Sequence, residues 1–109
     1  MSRSLAGSVY RGGQRPPRID VIRDARAAAA RLRQARKALE DARKQRDAAN
    51  AAMDTEMRLS GGDFRQIDPA VREELVRAEA ELQRAQNELN SARAAFDSIM
   101  RQRRERAWV

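Results

Sequence analysis

Apolar residues recur at alternating steps of four and three along two long stretches of the chain. In the second stretch, no position of this series is polar; the series is Val71, Leu75, Ala78, Leu82, Ala85, Leu89, Ala92, Phe96 and Ile99. In heptad notation, abcdefg, large residues occupy the a positions and alanines occupy most d positions. This pattern predicts a coiled-coil helix, and we call its a and d positions the seam.

The first stretch carries a matching seam with one polar member, Arg46. The series is Val21, Ala25, Ala28, Leu32, Ala35, Leu39, Ala42, Arg46, Ala49 and Met53. We interpret Arg46 as a side chain that extends over Ala78 toward Glu74 or Glu81, with a polar register marker as the alternative.

Helix stop and start signals separate the two stretches. Gly61 suits the residue that ends a helix in the left-handed conformation. Asp68 suits an N-cap, and Pro69 suits the first helical position. Three apolar residues near this break are expected to cover the open end of the seam, with a binding tip as the alternative: Leu59, Phe64 and Ile67.

One register pairs the two seams across almost their whole length. If the chain folds back near Gly62, residues whose numbers add to 124 face each other, as Leu39 with Ala85 and Ala42 with Leu82. Most layers then set one large side chain against an alanine, which keeps the layer volume constant. The predicted fold is therefore all-α, two long helices in an antiparallel coiled-coil hairpin with an extended N-terminal arm.

The same register brings no like charges together beside the seam. It places Arg43 opposite Glu79 and leaves Glu88 opposite Ala38. Two helices that share one narrow seam bury little apolar surface, so we expect a partner, including a second copy, to complete the stability.

The predicted divisions are an extended basic arm over 1–19, helix 1 over 20–59, a tip loop over 60–68 and helix 2 over 69–107. Adjacent glycines and adjacent prolines disfavour helix in the arm. Helix 1 is expected to begin between Pro17 and Asp20.

The composition argues against an enzyme. The chain has no Cys and no His, so the commonest general base and the commonest metal ligands are missing. A two-helix hairpin offers no cavity for converging polar groups. We therefore expect no catalytic residues, cofactor, metal or small-molecule substrate. No apolar run is long enough to span a membrane.

The net charge of +7 is concentrated at the chain ends. In a hairpin the start of helix 1 lies beside the end of helix 2, which predicts a basic base. Its candidate residues are Arg23, Arg101, Arg103, Arg104, Arg106 and Trp108. The candidate partner-binding residues of the arm are Leu5, Val9, Tyr10, Arg11, Arg15 and Arg18.

These features favour a non-enzymatic structural or assembly subunit that docks onto other protein subunits through its arm and base. We expect it to be cytoplasmic when synthesised and favour a component of a phage or virus particle. One alternative is sequence-independent nucleic-acid binding by the basic end. Another is a chaperone-like coiled coil, because the general shape resembles the small stalk proteins of flagellar and type III export machines.

Overall fold

The computed structural model describes residues 17–107 of the chain. Helix α1 spans Pro17–Leu59, a single 3₁₀ turn spans Phe64–Gln66, and helix α2 spans Pro69–Ala107. Proline is well tolerated in the first helical turn, where its missing N–H has no intrahelical partner, so α1 includes the last three residues of the stretch predicted as the arm. The rest of that arm lies outside the described residues.

The predicted all-α hairpin is confirmed. The two helices pack against each other along a body 73 Å in its longest dimension and 14 Å in its shortest, measured between Cα atoms. The central core consists of seam residues from both helices: Leu32, Ala35, Leu39, Ala42, Ala85, Leu89 and Ala92. Each alanine in this set allows the backbone of the other helix to approach closely enough for contact with the large residue across from it.

Most large seam residues of α2 are less well covered than its seam alanines. Ala92 is completely buried, whereas Leu75, Leu82 and Phe96 are half-buried. These three side chains extend beyond the shallow layer that the two helices enclose, so their outer atoms stay in contact with water, whereas Leu89 is buried. The hairpin therefore has a continuous core that is only one layer deep.

Backbone hydrogen bonds end α1 and begin α2 as the sequence predicts. The N–H groups of Gly61 and Gly62 donate to the carbonyls of Arg58 at 3.3 Å and Met57 at 2.8 Å, the Schellman arrangement. Gly61 has a φ of 69°, which only glycine adopts without strain. The Asp68 side chain accepts from the Ala70 N–H at 2.9 Å and so caps α2.

The cover over the open end of the seam differs from the prediction. Ile67 is 1% exposed, as expected of a residue that covers the end of the seam. The prediction was wrong for Leu59 and Phe64, which are 77% and 52% exposed. Leu59 lies one residue before Ser60, which occupies a seam position, so the Leu59 side chain faces solvent. The centre of the Phe64 ring lies 5.2 Å from the central carbon of the Arg72 guanidinium.

Candidate functional site: the base and the flanks of the hairpin

The start of α1 and the end of α2 lie together at one end of the molecule. The Arg31 guanidinium donates to the Ser91 hydroxyl at 3.1 Å, which fixes the two helices side by side at that level. Because the helices are antiparallel, the same number of residues back from Arg31 and forward from Ser91 leads to Asp20 and Gln102, which therefore lie at the same end of the hairpin. We call residues 17–26 and 97–107 the base of the hairpin and residues 53–75 its tip.

Four arginines of the base are exposed and make no ion pair among the described residues: Arg26, Arg101, Arg103 and Arg104. Arg23 is also exposed, but it donates to Asp20 at 3.1 Å on the same helix. The start of α1 and the end of α2 contain no lysine, so the positive groups of the base are guanidinium groups. Most of the guanidinium groups at the end of α2 are available to an anionic partner.

Other residues predicted for the interaction site fall at or beyond the edge of the described part. Arg18 lies in the first turn of α1 and Arg106 in the last turn of α2. Leu5, Val9, Tyr10, Arg11, Arg15 and Trp108 lie outside the described residues. That the arm and the base form one interaction surface stays a prediction.

The base carries a modest excess of positive charge. It contains seven arginines against four acidic residues, a net charge of +3. The acids are Asp20, Asp24, Asp97 and Glu105. These acids lie among the arginines, so the base presents a pattern of both charges. A partner with the complementary pattern can bind it, and a partner that places like charges opposite is disfavoured.

A bidentate ion pair crosses between the helices above the base. Arg31 Nε lies 2.8 Å from Glu88 Oε2, and Arg31 Nη2 lies 3.0 Å from Glu88 Oε1. The hydrogen bond from Arg31 lowers the pKa of the Glu88 carboxyl. Loss of hydration opposes this shift, and the positive charge of Arg31 supports it to a smaller extent. The same hydrogen bond raises the pKa of Arg31. The register placed Glu88 opposite Ala38, so sequence reasoning missed this pair, which the long arginine side chain makes by reaching along the helix.

Several acids predicted as partners for α1 instead pair within α2. Glu74 accepts from Arg77 at 2.8 Å, and Glu81 accepts from Arg84 at 3.2 Å. Arg46 donates to its neighbour Asp47 at 3.0 Å, so the prediction that it extends toward Glu74 or Glu81 was wrong. Residues three apart on a helix meet with less loss of side-chain freedom than residues on separate helices.

A shallow groove runs along one side of the seam near mid-length. Its floor is made of alanines and its edges are polar; the lining residues are Ala38, Asp41, Ala42, Gln45, Glu81, Arg84 and Ala85. Sequence analysis did not identify this groove, although it follows from small residues at both d and g positions. It is open to solvent along its length and lacks the enclosure of a small-molecule site.

The described residues contain no group of three or more acidic side chains placed to hold a metal ion. Within the same part of the chain, neither helix has an apolar stretch of the length needed to cross a bilayer. Comparisons with family models, with curated protein sequences and with solved structures gave no match. The functional proposal therefore depends on the surfaces of the hairpin itself.

Proposed function

We propose that this chain is a non-enzymatic assembly subunit, a helical hairpin that docks through its basic base onto an acidic surface of a larger protein assembly. The observation that carries this proposal is the set of three exposed arginines at the end of α2 without ion pairs among the described residues. Arginine suits such a contact because its planar guanidinium binds carboxylates through two hydrogen bonds.

The shape of the hairpin supports the same proposal. A body of this length with a single-layer core can hold two points far apart, but it encloses little space for chemistry. Three exposed arginines without ion pairs among the described residues lie close together at the end of α2, whereas several charged groups along the middle pair within their own helices. This concentration of positive charge favours the base as the docking surface for an acidic partner. A phage or virus particle is the setting we propose for this subunit.

The test compares two triple variants in the cells that make the protein. Arg101→Glu, Arg103→Glu and Arg104→Glu reverse the base, while Arg58→Glu, Arg65→Glu and Arg77→Glu make the same charge change near the tip. After gentle lysis, the wild type and the tip variant should sediment in a complex that contains other proteins, and the base variant should sediment without them. Sedimentation of the wild type without other proteins would refute the proposal.

Nucleic-acid binding through the base is the second candidate, since the same exposed arginines could contact phosphates. Titration of the purified protein with duplex and single-stranded DNA at two salt concentrations separates the candidates. Tight binding that weakens steeply with salt, and that the base variant loses, would favour the nucleic-acid function. Binding no stronger than that of the base variant would eliminate it.

A further inference from the structure

The two sides of the hairpin beside the seam carry opposite charges. The e positions of both helices hold four arginines and one glutamate, a net charge of +3; they are Arg36, Arg43, Arg72, Arg93 and Glu79. The g positions hold four acids and one arginine, a net charge of −3; they are Asp24, Glu74, Glu81, Glu88 and Arg31. We call these sides the basic flank and the acidic flank.

The contacts between the helices show that each flank is one continuous side of the molecule. Arg31 on α1 bonds Glu88 on α2, and both occupy g positions. The groove brings Ala38 and Gln45 of α1 together with Glu81 of α2, again all at g positions. In an antiparallel pair of helices the e positions must then share the opposite side.

The acidic flank is shaped for close contact. Ala38 is exposed at the edge of the groove, and the buried Ala42 and Ala85 form its floor. Small side chains allow another helix to approach the backbone. At the edges Asp41 pairs with Lys37 at 3.7 Å and Glu81 with Arg84 at 3.2 Å, and each carboxylate keeps lone pairs that can accept further hydrogen bonds from a second copy.

The basic flank offers those charges on the same helix and one heptad apart. Arg36 and Arg43 are exposed and form no ion pair with any described residue. The spacing of a heptad is about 10 Å along a helix, which matches the heptad spacing of Glu74, Glu81 and Glu88 on the acidic flank.

We propose that copies of this chain associate side by side, with the basic flank of one copy packed on the acidic flank of the next. A two-fold dimer through either flank would bring like charges together, which disfavours it. A contact between different flanks leaves one free flank of each sign and builds a ring or an open row. This association depends on flank residues away from the base, and it stands or falls independently of the docking function proposed above.

The test uses the purified full-length protein and sedimentation at low and high salt, about 0.05 M and 0.5 M, because screening weakens contacts between exposed charges. The wild type should form oligomers at low salt and dissociate at high salt. Arg36→Glu with Arg43→Glu should raise the dissociation constant by at least about tenfold. The matched control, Lys37→Glu with Lys44→Glu, makes the same charge change on the outer face of α1 and should associate like the wild type.

A mixing experiment tests the pairing of unlike flanks. Glu74→Arg with Glu81→Arg makes the acidic flank basic, and this variant alone should be monomeric, as should the Arg36→Glu, Arg43→Glu variant. An equimolar mixture of the two should associate again, because each then offers the flank that the other needs. Circular dichroism confirms that both variants keep their helices.

Three results would overturn the proposal. The wild type could be monomeric at low salt, the basic-flank variant could associate as well as its lysine control, or the mixture could remain monomeric. In the second case, if the acidic-flank variant loses association while the basic-flank variant keeps it, another basic segment of the chain is the partner of the acidic flank.

Discussion

Arg31 and Glu88 join the two helices through two parallel hydrogen bonds of 2.8 and 3.0 Å. Within residues 20–105 this is the one ion pair that crosses between the helices, since the others link residues at most four apart in sequence. A planar guanidinium and a planar carboxylate meet in this way in only a narrow range of orientations. The pair therefore supports the register of the two helices that the match of large seam residues with alanines already selects.

The pH dependence of folding should reveal this pair. Because the pKa of Glu88 is lower in the folded than in the unfolded chain, its stabilising effect is complete above the unfolded pKa, near 4.5. The effect is lost as the pH falls through the folded pKa. We expect Glu88→Gln to lower the thermal midpoint at neutral pH, with the difference from the wild type shrinking toward zero as the pH is lowered below about 4.

Glu73→Gln is the control for that titration, because Glu73 is exposed and forms no ion pair among the described residues. Its thermal midpoint at neutral pH should be close to that of the wild type, because the substitution removes no ion pair of the described residues. High salt should reduce the effect of Glu88→Gln, since both side chains of the pair remain partly exposed. A difference that is independent of pH would contradict the assigned role of the pair.

Overfilling the seam should destabilise the hairpin even with an apolar residue. Ala92 is 0% exposed, so a leucine there must push the helices apart. We expect Ala92→Leu to lower the free energy of unfolding by about 1–3 kcal/mol. Ala94→Leu places the same side chain on the exposed side of α2 and should change stability little. Chemical denaturation followed by circular dichroism measures both, and equal stability of the two variants would argue against the close alanine contact.

The tip should depend on Ile67 far more than on Phe64. Truncation of the buried Ile67 to alanine opens the end of the seam, and we expect a loss of about 2–5 kcal/mol. Phe64→Ala removes a half-exposed ring and its contact with Arg72, for which about 0.5–1 kcal/mol is typical. Denaturation curves of the two variants give the comparison, and a greater loss for Phe64→Ala would show that the aromatic ring covers the seam after all.

The sequence predicts the hairpin because its seam contains two kinds of information. The alternating steps of four and three identify the buried face of each helix, and the match of large residues with alanines selects one antiparallel register. Gly61 and Asp68 mark the turn through conformational needs that few other residues meet. These features act through backbone geometry and volume, which a single sequence displays directly.

The polar contacts could not be predicted in the same way. Glu74, Glu81 and Arg46 each had several partners within reach, and the structure gives each a partner on its own helix. Exposed ion pairs differ little in free energy, so side-chain freedom decides among them. The exposure of Leu59 likewise depends on the residue at which α1 ends, and a sequence pattern does not locate that residue closely enough to predict it.

The proposed surfaces differ in how directly the sequence indicates them. The base follows from the charge of the chain ends once the helices are known to be antiparallel. The flanks become visible only when e and g positions of both helices are assigned to their sides, which the contact of Arg31 with Glu88 does. The structure brings Arg23 to the same end of the molecule as three arginines of α2, Arg101, Arg103 and Arg104. The participation of the arm residues in this surface stays a prediction.

A single disulfide test addresses the antiparallel register on which both proposed surfaces depend. The chain has no cysteine, so Leu39→Cys with Ala85→Cys introduces one pair, drawn from two buried residues of the same core cluster. Under mild oxidation at low protein concentration and high salt, we expect rapid formation of an intramolecular disulfide. Leu39→Cys with Ala80→Cys, which places the second thiol on the exposed side of α2, should not close. Bridges only between molecules, or none, in the first variant would contradict the register and with it the positions of the base and the flanks.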